Sequence, residues 1–248
     1  MNFRLLSFAA IGGALALLAA PRAGALPITF SGSAINGLGN SISASATFGS
    51  SVAGVLTIEL TNTDTTPFHI GGADVLTGLY FNIAGATLTP ISTALGSNSA
   101  MLPNSSSSSG ISSNWGYFGH PGLVNGAQAG DQAIAATGLV GGSNIDFTGV
   151  AHGSSGYLQG PAYGIVGNTA DTFSGNGFVP LAAPTILFSF NYTGTITSIT
   201  NVDFLYGTSA GEGFISHTHT TTVPDSGATI TMLGMAIAGL ACFRRRRA

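Results

Sequence analysis

The stretch GVLTIELTN, residues 54–62, has the clearest strand pattern in the sequence. Its apolar side chains Leu56, Ile58 and Leu60 alternate with the more polar residues between them. Successive side chains of a β-strand point to opposite faces of a sheet, so this alternation predicts a strand with one buried face. Half-buried strands of this kind are typical of antiparallel sheets.

The sequence on either side of this strand also predicts β-strands. Between residues 26 and 222, short runs rich in Val, Ile, Thr and aromatic residues are separated by turn residues, and no run has a sustained helical period. The other predicted strands are 28–34, 41–48, 78–84, 115–118, 145–150, 162–166, 185–192, 199–206 and 214–219. Two stretches, 96–114 and 120–144, are predicted to be long surface loops. We predict an all-β domain, an antiparallel β-sandwich or jelly roll.

The N-terminal residues have the order of a secretory signal peptide. Arg4 precedes an apolar stretch, residues 5–20, and Pro21 and the A-x-A pattern of Ala23 and Ala25 follow it. The alternative, a first transmembrane helix, is disfavoured because the apolar run is short and ends at a proline. We therefore predict a signal helix that is removed after Ala25.

The C-terminal residues predict a membrane helix. Residues 228–243 are sixteen residues without a charge, and an arginine cluster, residues 244–247, follows at once. As a helix this segment spans about 24 Å, so flanking residues must help it to cross a bilayer core of about 30 Å. By the positive-inside rule, the cluster of Arg244, Arg245, Arg246 and Arg247 holds the C-terminus in the cytoplasm. The alternative is an apolar helix buried in a protein core.

A short proline-containing motif, residues 223–227, stands directly before this helix. It consists of Val223, Pro224, Asp225, Ser226 and Gly227. Motif, single apolar helix and terminal Arg cluster, in that order, resemble the PEP-CTERM class of sorting signals and, more closely, its VPDSG variant. The alternative is an inert single-pass anchor with a juxtamembrane turn.

The resemblance implies a partner and a route. An exosortase, a membrane-embedded cysteine transpeptidase, would bind the anchored chain at the inner membrane and cut it near the motif. The protein would then reach the cell surface or the extracellular space. Four phrases, at 60–63, 74–90, 163–167 and 201–214, resemble a group of exosortase-sorted surface proteins and imply a shared β fold.

The charges of the exported region exclude some functions. Residues 26–222 contain neither Lys nor Arg but eight carboxylates, so this region cannot neutralise phosphates and we expect no nucleic-acid partner. The only cysteine, Cys242, lies in the apolar segment, so no intrachain disulfide can form.

Two motifs suggest catalytic or metal chemistry. Residues 207–211 match the G-x-S-x-G nucleophile elbow with Ser209 at its centre, but the elbow needs a following helix and a strand is predicted there. His217 and His219 share one strand face and could hold zinc if Glu212 lay close by. The alternative for this pair is a polar strand end.

Other residues invite a ligand but have a structural alternative. Asp64, Asp146 and Asp171 lie in turn-like segments that could bind calcium, although capping of turns is the favoured interpretation. Trp115 and Tyr117 could stack on a sugar ring, but large aromatic residues are more often in the core.

Together these patterns predict a noncatalytic exosortase substrate without metal or other cofactor, acting in adhesion or in biofilm or exopolysaccharide assembly. The alternatives are a glycan-binding β-sandwich and a metal-dependent hydrolase at His217 and His219. The predicted domains are the signal peptide (1–25), the exported β domain (26–222) and the sorting signal (223–248), which comprises motif 223–227, transmembrane helix 228–243 and Arg cluster 244–247.

Overall fold

The computed structural model describes most of the exported region. The described residues are 27–64, 69–70, 72–102, 110–119, 132–136, 144–152, 163–168, 172–173, 181–207, 213–217 and 221–222. The predicted signal helix and the predicted transmembrane helix lie outside these residues. Within the ranges described, no helix is both long enough and apolar enough to span a membrane.

The described residues are mostly β-strand. The strands are β1 (Ile28–Ile35), β2 (Ser41–Val52), β3 (Val55–Asn62), β4 (His69–Ile70), β5 (Leu76–Leu95), β6 (Ala100–Met101), β7 (Trp115–Phe118), β8 (Gln132–Ala136), β9 (Asn144–Asp146), β10 (Ala151–His152), β11 (Thr172–Phe173), β12 (Ala182–Ala183), β13 (Thr185–Tyr206), β14 (Gly213–His217) and β15 (Thr221–Thr222). The helical elements are a 3-10 turn, Gly72–Asp74, and one turn of helix, α1 (Ile111–Asn114).

Eleven of these strands form one antiparallel sheet. Its order is β1-β2-β3-β13-β5-β8-β7-β9-β10, and β14 and β15 also pair with β13. The pairs β4 with β11 and β6 with β12 are separate two-stranded sheets. The prediction of an all-β, antiparallel fold is confirmed, whereas the jelly-roll topology is not.

The two long strands β5 and β13 continue through a bend in the sheet. Strands β5 and β13 pair along nearly their whole lengths, but three residues of β13, 195–197, stand opposite Gly85 between the pairs Gly194↔Ala86 and Ser198↔Ala84. Such a bulge bends a sheet. Gly85 and Gly194 have φ angles of 82° and 96°, which favour glycine.

The core lies between the two halves of the sheet that this bend creates. Phe188, in the first half of β13, packs on Trp115 of β7 and on Phe147, with ring centroids 5.0 and 5.2 Å apart. Phe48 of β2 packs on Phe81 of β5 at 5.5 Å. Since each pair joins one half to the other, the halves face each other across a shared aromatic core.

Several predicted strand boundaries are wrong, because hydrogen-bonded pairing with neighbouring strands decides where a strand ends and the local sequence pattern does not. The predicted strand 78–84 is the first part of a twenty-residue strand, and 185–192 and 199–206 are one strand of 22 residues. In the predicted strand 162–166, Tyr163 has a φ of 62° and Ile165 makes only isolated bridges.

Other differences concern loops and strand ends. The strand predicted at 145–150 ends at Asp146, where a turn begins. The predicted loop 120–144 contains β8, which lies between β5 and β7 and is almost completely buried. The predicted loop 96–114 contains the short strand β6 and the helical turn α1.

Three buried tyrosines lead us to expect that alkali destabilises the fold. Burial raises the pKa of Tyr80 and Tyr117 to about 12. Burial, together with the negative charge of Asp64, raises the pKa of Tyr206 well above 10. An unfolded tyrosine loses its proton near pH 10, so from about pH 10 to 12 the unfolded chain binds fewer protons and the free energy of unfolding falls.

We therefore expect urea unfolding of residues 26–222 to require less denaturant at about pH 11 than at about pH 9, where the unfolded tyrosines are still protonated. Because this region lacks Lys and Arg, tyrosine is its only side chain that titrates in that window. Phenolate absorbance should rise together with unfolding. An unchanged urea midpoint would contradict the prediction.

Candidate functional site: the junction between the sheet and the sorting tail

The last described strand leads directly into the predicted sorting motif. In β15, Thr222 pairs with Ser198 and Thr221 pairs with Ile199 of β13, in antiparallel register. Val223, the first residue of the predicted motif, follows immediately. No linker therefore separates the sheet from the tail. The sequence alone does not predict this junction, because a two-residue strand shows no periodicity.

The junction lies near one end of the sheet, which we call the bend end. It comprises the β2–β3 turn (52–54), the middle of β5 (84–87) and the middle of β13 (193–198). The Tyr192 N–H donates a hydrogen bond of 2.9 Å to the Gly54 carbonyl, which joins the turn to β13.

The opposite end of the sheet, which we call the far end, is held by polar contacts. It comprises the β1–β2 turn (36–40) and the 3-10 turn that ends at Asp74. The Asn36 and Asn40 side chains donate hydrogen bonds of 2.6 and 3.0 Å to the Asp74 carboxylate. The Tyr206 hydroxyl donates to the Ser43 carbonyl at 2.8 Å, which joins the end of β13 to β2. These contacts fix the end that lies away from the tail.

Asp146 caps a turn, as the sequence favoured. Its side chain is buried, and its Oδ1 atom accepts hydrogen bonds from the Thr148 N–H at 2.8 Å, the Thr148 hydroxyl at 2.6 Å and the Val150 N–H at 2.9 Å. This is an Asx-type arrangement. Across the described part of the chain, no three His, Cys, Asp or Glu side chains gather as a metal site.

We expect Asp146→Ala to lower the free energy of unfolding by about 1–3 kcal/mol, because it leaves the N–H groups of the turn without their acceptor. Asp146→Asn keeps the Oδ1 acceptor and should cost less. Urea unfolding monitored by circular dichroism measures both variants. Stabilisation of the wild type by added Ca²⁺ that Asp146→Asn abolishes would instead show a metal site.

The candidate catalytic and zinc residues fall largely outside the described residues. Ser209, Glu212 and His219 all lie outside them, as does the calcium candidate Asp171. His217 is the last residue of β14, and its backbone pairs with Val202 of β13. The expectation that Ser209 is not an elbow nucleophile therefore stays a prediction, and zinc binding by His217 and His219 stays an alternative.

Trp115 and Tyr117 are core residues, so the sugar-platform alternative for them is wrong. Trp115 is fully buried and its indole N–H donates a hydrogen bond of 2.9 Å to the Tyr163 carbonyl. The Tyr117 ring packs on Phe190 with centroids 5.2 Å apart. Neither ring presents a free face to a sugar.

Comparison with known proteins identifies the tail. Residues 222–247 match the family described as the VPDSG-CTERM motif, a C-terminal sorting signal of the PEP-CTERM/exosortase type. The match begins at Thr222, the last residue of β15, and extends through the Arg cluster. The signal implies export and transient membrane anchoring before display at the cell surface. No curated protein and no solved structure matches the chain.

Proposed function

We propose that the chain, which carries this exosortase-type sorting signal, is a noncatalytic surface protein that associates with extracellular polysaccharide. Export and exosortase cleavage near residues 223–227 deliver the β domain and remove the apolar helix and its arginines. The mature domain then presents a surface without Lys or Arg to the matrix.

The observation that carries this proposal is a row of paired hydroxyl side chains, which we call the hydroxyl face. On β1 and β2 the register pairs are Thr29↔Thr47, Ser31↔Ser45 and Ser33↔Ser43. The Thr29 and Thr47 hydroxyls lie 2.9 Å apart. The alternate residues Phe30, Ala44 and Ala46 are buried, so these hydroxyls face outward.

Strand β3 continues the hydroxyl face beside β2. Thr61 pairs with Ser45, and Glu59 pairs with Thr47. The Thr61 hydroxyl also lies 2.9 Å from the Thr185 hydroxyl on β13. Among the described residues of β1, β2 and β3, Glu59 is the only charged side chain.

This chemistry suits an uncharged polysaccharide. Serine and threonine hydroxyls both donate and accept hydrogen bonds, as sugar hydroxyls do. One such bond contributes only about 0.5–1.5 kcal/mol net, but a rigid sheet and a repeating polymer allow many bonds at once. The Glu59 carboxylate and the lack of cations disfavour an acidic polymer.

Co-sedimentation with neutral and acidic polysaccharides tests the proposal. We expect the mature domain, residues 26–222, to sediment with neutral polymers. A variant carrying Ser31→Ala, Ser45→Ala and Thr47→Val removes three hydroxyls with little change in shape and should lose most of this binding. The matched control Ser216→Ala, exposed on β14, should keep it. Equal binding by variant and control, or no binding by the wild type, would refute the proposal.

A further inference from the structure

We propose that the bend end of the sheet rests on the bilayer, at the level of the lipid headgroups, for as long as the sorting tail anchors the chain. The inference rests on the proposed delivery by an exosortase, since it concerns the anchored precursor. It adds an interaction surface, the bend end, and assigns it a lipid partner.

The first argument is the length of the tether. Thr222 is paired into the sheet, and only five residues, 223–227, separate it from the apolar segment that begins at residue 228. Even fully extended, five residues reach about 17 Å. The headgroup layer on one side of the bilayer is itself about 5–8 Å thick.

The length of the apolar segment further shortens the distance between the sheet and the membrane. As the predicted helix, the sixteen residues 228–243 would span about 24 Å, which is short of a hydrocarbon core of about 30 Å. Residues next to the segment must therefore enter the membrane, and those on the outer side are the tether itself. The paired residues Ser198 and Thr222 then lie no more than about 17 Å from the hydrocarbon edge, and closer by the length of tether that enters the membrane.

The second argument is the distribution of charge along the sheet. The bend end, residues 52–54, 84–87 and 193–198, contains no charged side chain. Asp74 and the Asn36–Asn40 turn that binds it lie at the far end. On β13 the nearest carboxylate is Asp203, which stands opposite Tyr80 and toward the far end from the Ser198↔Ala84 pair. Uncharged side chains can approach an anionic headgroup layer without repulsion or the cost of desolvating a charge.

The third argument is the chemistry of the side chains that the bend end exposes. Val52, at the tip of the β2–β3 turn, is 59% exposed. Thr87, Thr193 and Thr195 are also exposed. Such a surface suits the headgroup region, where apolar groups lose water and hydroxyls can bond to phosphate and ester oxygens. Leu38 at the far end is also exposed, at 67%, so the choice between the two ends rests on the tether and on the charges.

Distance-dependent quenching in vesicles tests this orientation. The full chain, with Cys242→Ala to remove its only thiol, receives one cysteine for a fluorophore, either Thr195→Cys at the bend end or Leu38→Cys at the far end. Both native residues are exposed. Strand β2 alone, with its 12 residues, separates the two ends by about 40 Å. The vesicles contain phosphatidylcholine, phosphatidylglycerol and a headgroup-labelled nitroxide lipid as quencher.

We expect the label at residue 195 to be quenched several-fold more strongly than the label at residue 38 in chains that co-float with the vesicles. Thr87→Cys, on the neighbouring strand, repeats the measurement independently of β13 and should give the same result. Equal quenching at both ends, or stronger quenching at residue 38, in co-floating chains would overturn the orientation alone. Failure of the chain to co-float would overturn the anchoring and with it the inference.

Discussion

Replacing Phe188 by alanine is expected to lower the free energy of unfolding of the exported domain by about 3–5 kcal/mol. Phe188 is fully buried and contacts both Trp115 and Phe147, which belong to the other half of the sheet. The truncation therefore removes buried apolar area and leaves a cavity between the two halves. Urea unfolding of residues 26–222, monitored by circular dichroism, gives the difference.

Phe214→Ala is the matched control for this substitution. Phe214, on β14, is 42% exposed. The same chemical change at this position should cost well under half as much, because much less area is taken from water. Equal losses for the two variants would contradict the assignment of the core to the space between the halves.

Gly194→Ala is expected to cost about 2–5 kcal/mol, because it adds the strain of a left-handed residue to an overpacked contact. Gly194 has a φ of 96°, which L residues rarely adopt. A Cβ atom at this position would also collide with the backbone carbonyl of Gly85 on the neighbouring strand. Thermal or urea unfolding measures the loss.

Gly54→Ala separates the two causes of that loss. Gly54 also has a positive φ, 78°, but a Cβ atom there would meet nothing within 4 Å. We therefore expect only the conformational cost of about 1–2 kcal/mol. If Gly194→Ala costs no more than Gly54→Ala, the two strands do not approach closely at the bend, and the folding of one sheet over itself is contradicted.

The strands that the sequence predicts well are those with one buried and one exposed face. In β3, Leu56, Ile58 and Leu60 are buried while Glu59 is exposed, as their alternation requires. The pattern is local because the burial of each side chain depends on the face of the sheet to which it points. Long strands with bulges are harder to predict from sequence. A glycine such as Gly85 or Gly194 indicates a turn in the sequence, but here it lies at a bend within a continuous strand.

Strand β8 shows why the sequence misses other elements. Its residues Gln132–Ala136 are mostly small and contain one β-branched side chain, Ile134, so their intrinsic strand preference is weak. The strand forms because β5 and β7 pair with it on either side. The paired residues of β5, 78–81, lie far from β8 in the chain, so no local pattern could reveal this pairing.

The sorting tail can be predicted from the sequence for a different reason. Its signal is the order of motif, apolar segment and arginines, which does not depend on distant contacts. The way the tail joins the domain depends on the pairing of Thr221 and Thr222 with β13, which only the structure provides. The tail thus gives the route of export, and the junction shows that the tail leaves the domain beside Ser198 of β13.

The C-terminal mass of the native protein, recovered from cells that contain an exosortase, shows whether the sorting tail is cleaved. Cleavage near the motif predicts a mature chain that ends close to Asp225 or Ser226 and has lost the arginine cluster, residues 244–247. Pro224→Ala should reduce this cleavage because proline keeps the preceding residue extended. The matched change Pro27→Ala, at an exposed position outside the motif, should leave it intact. Mature wild-type protein that retains Arg244–Arg247 would contradict processing and leave a permanent membrane anchor.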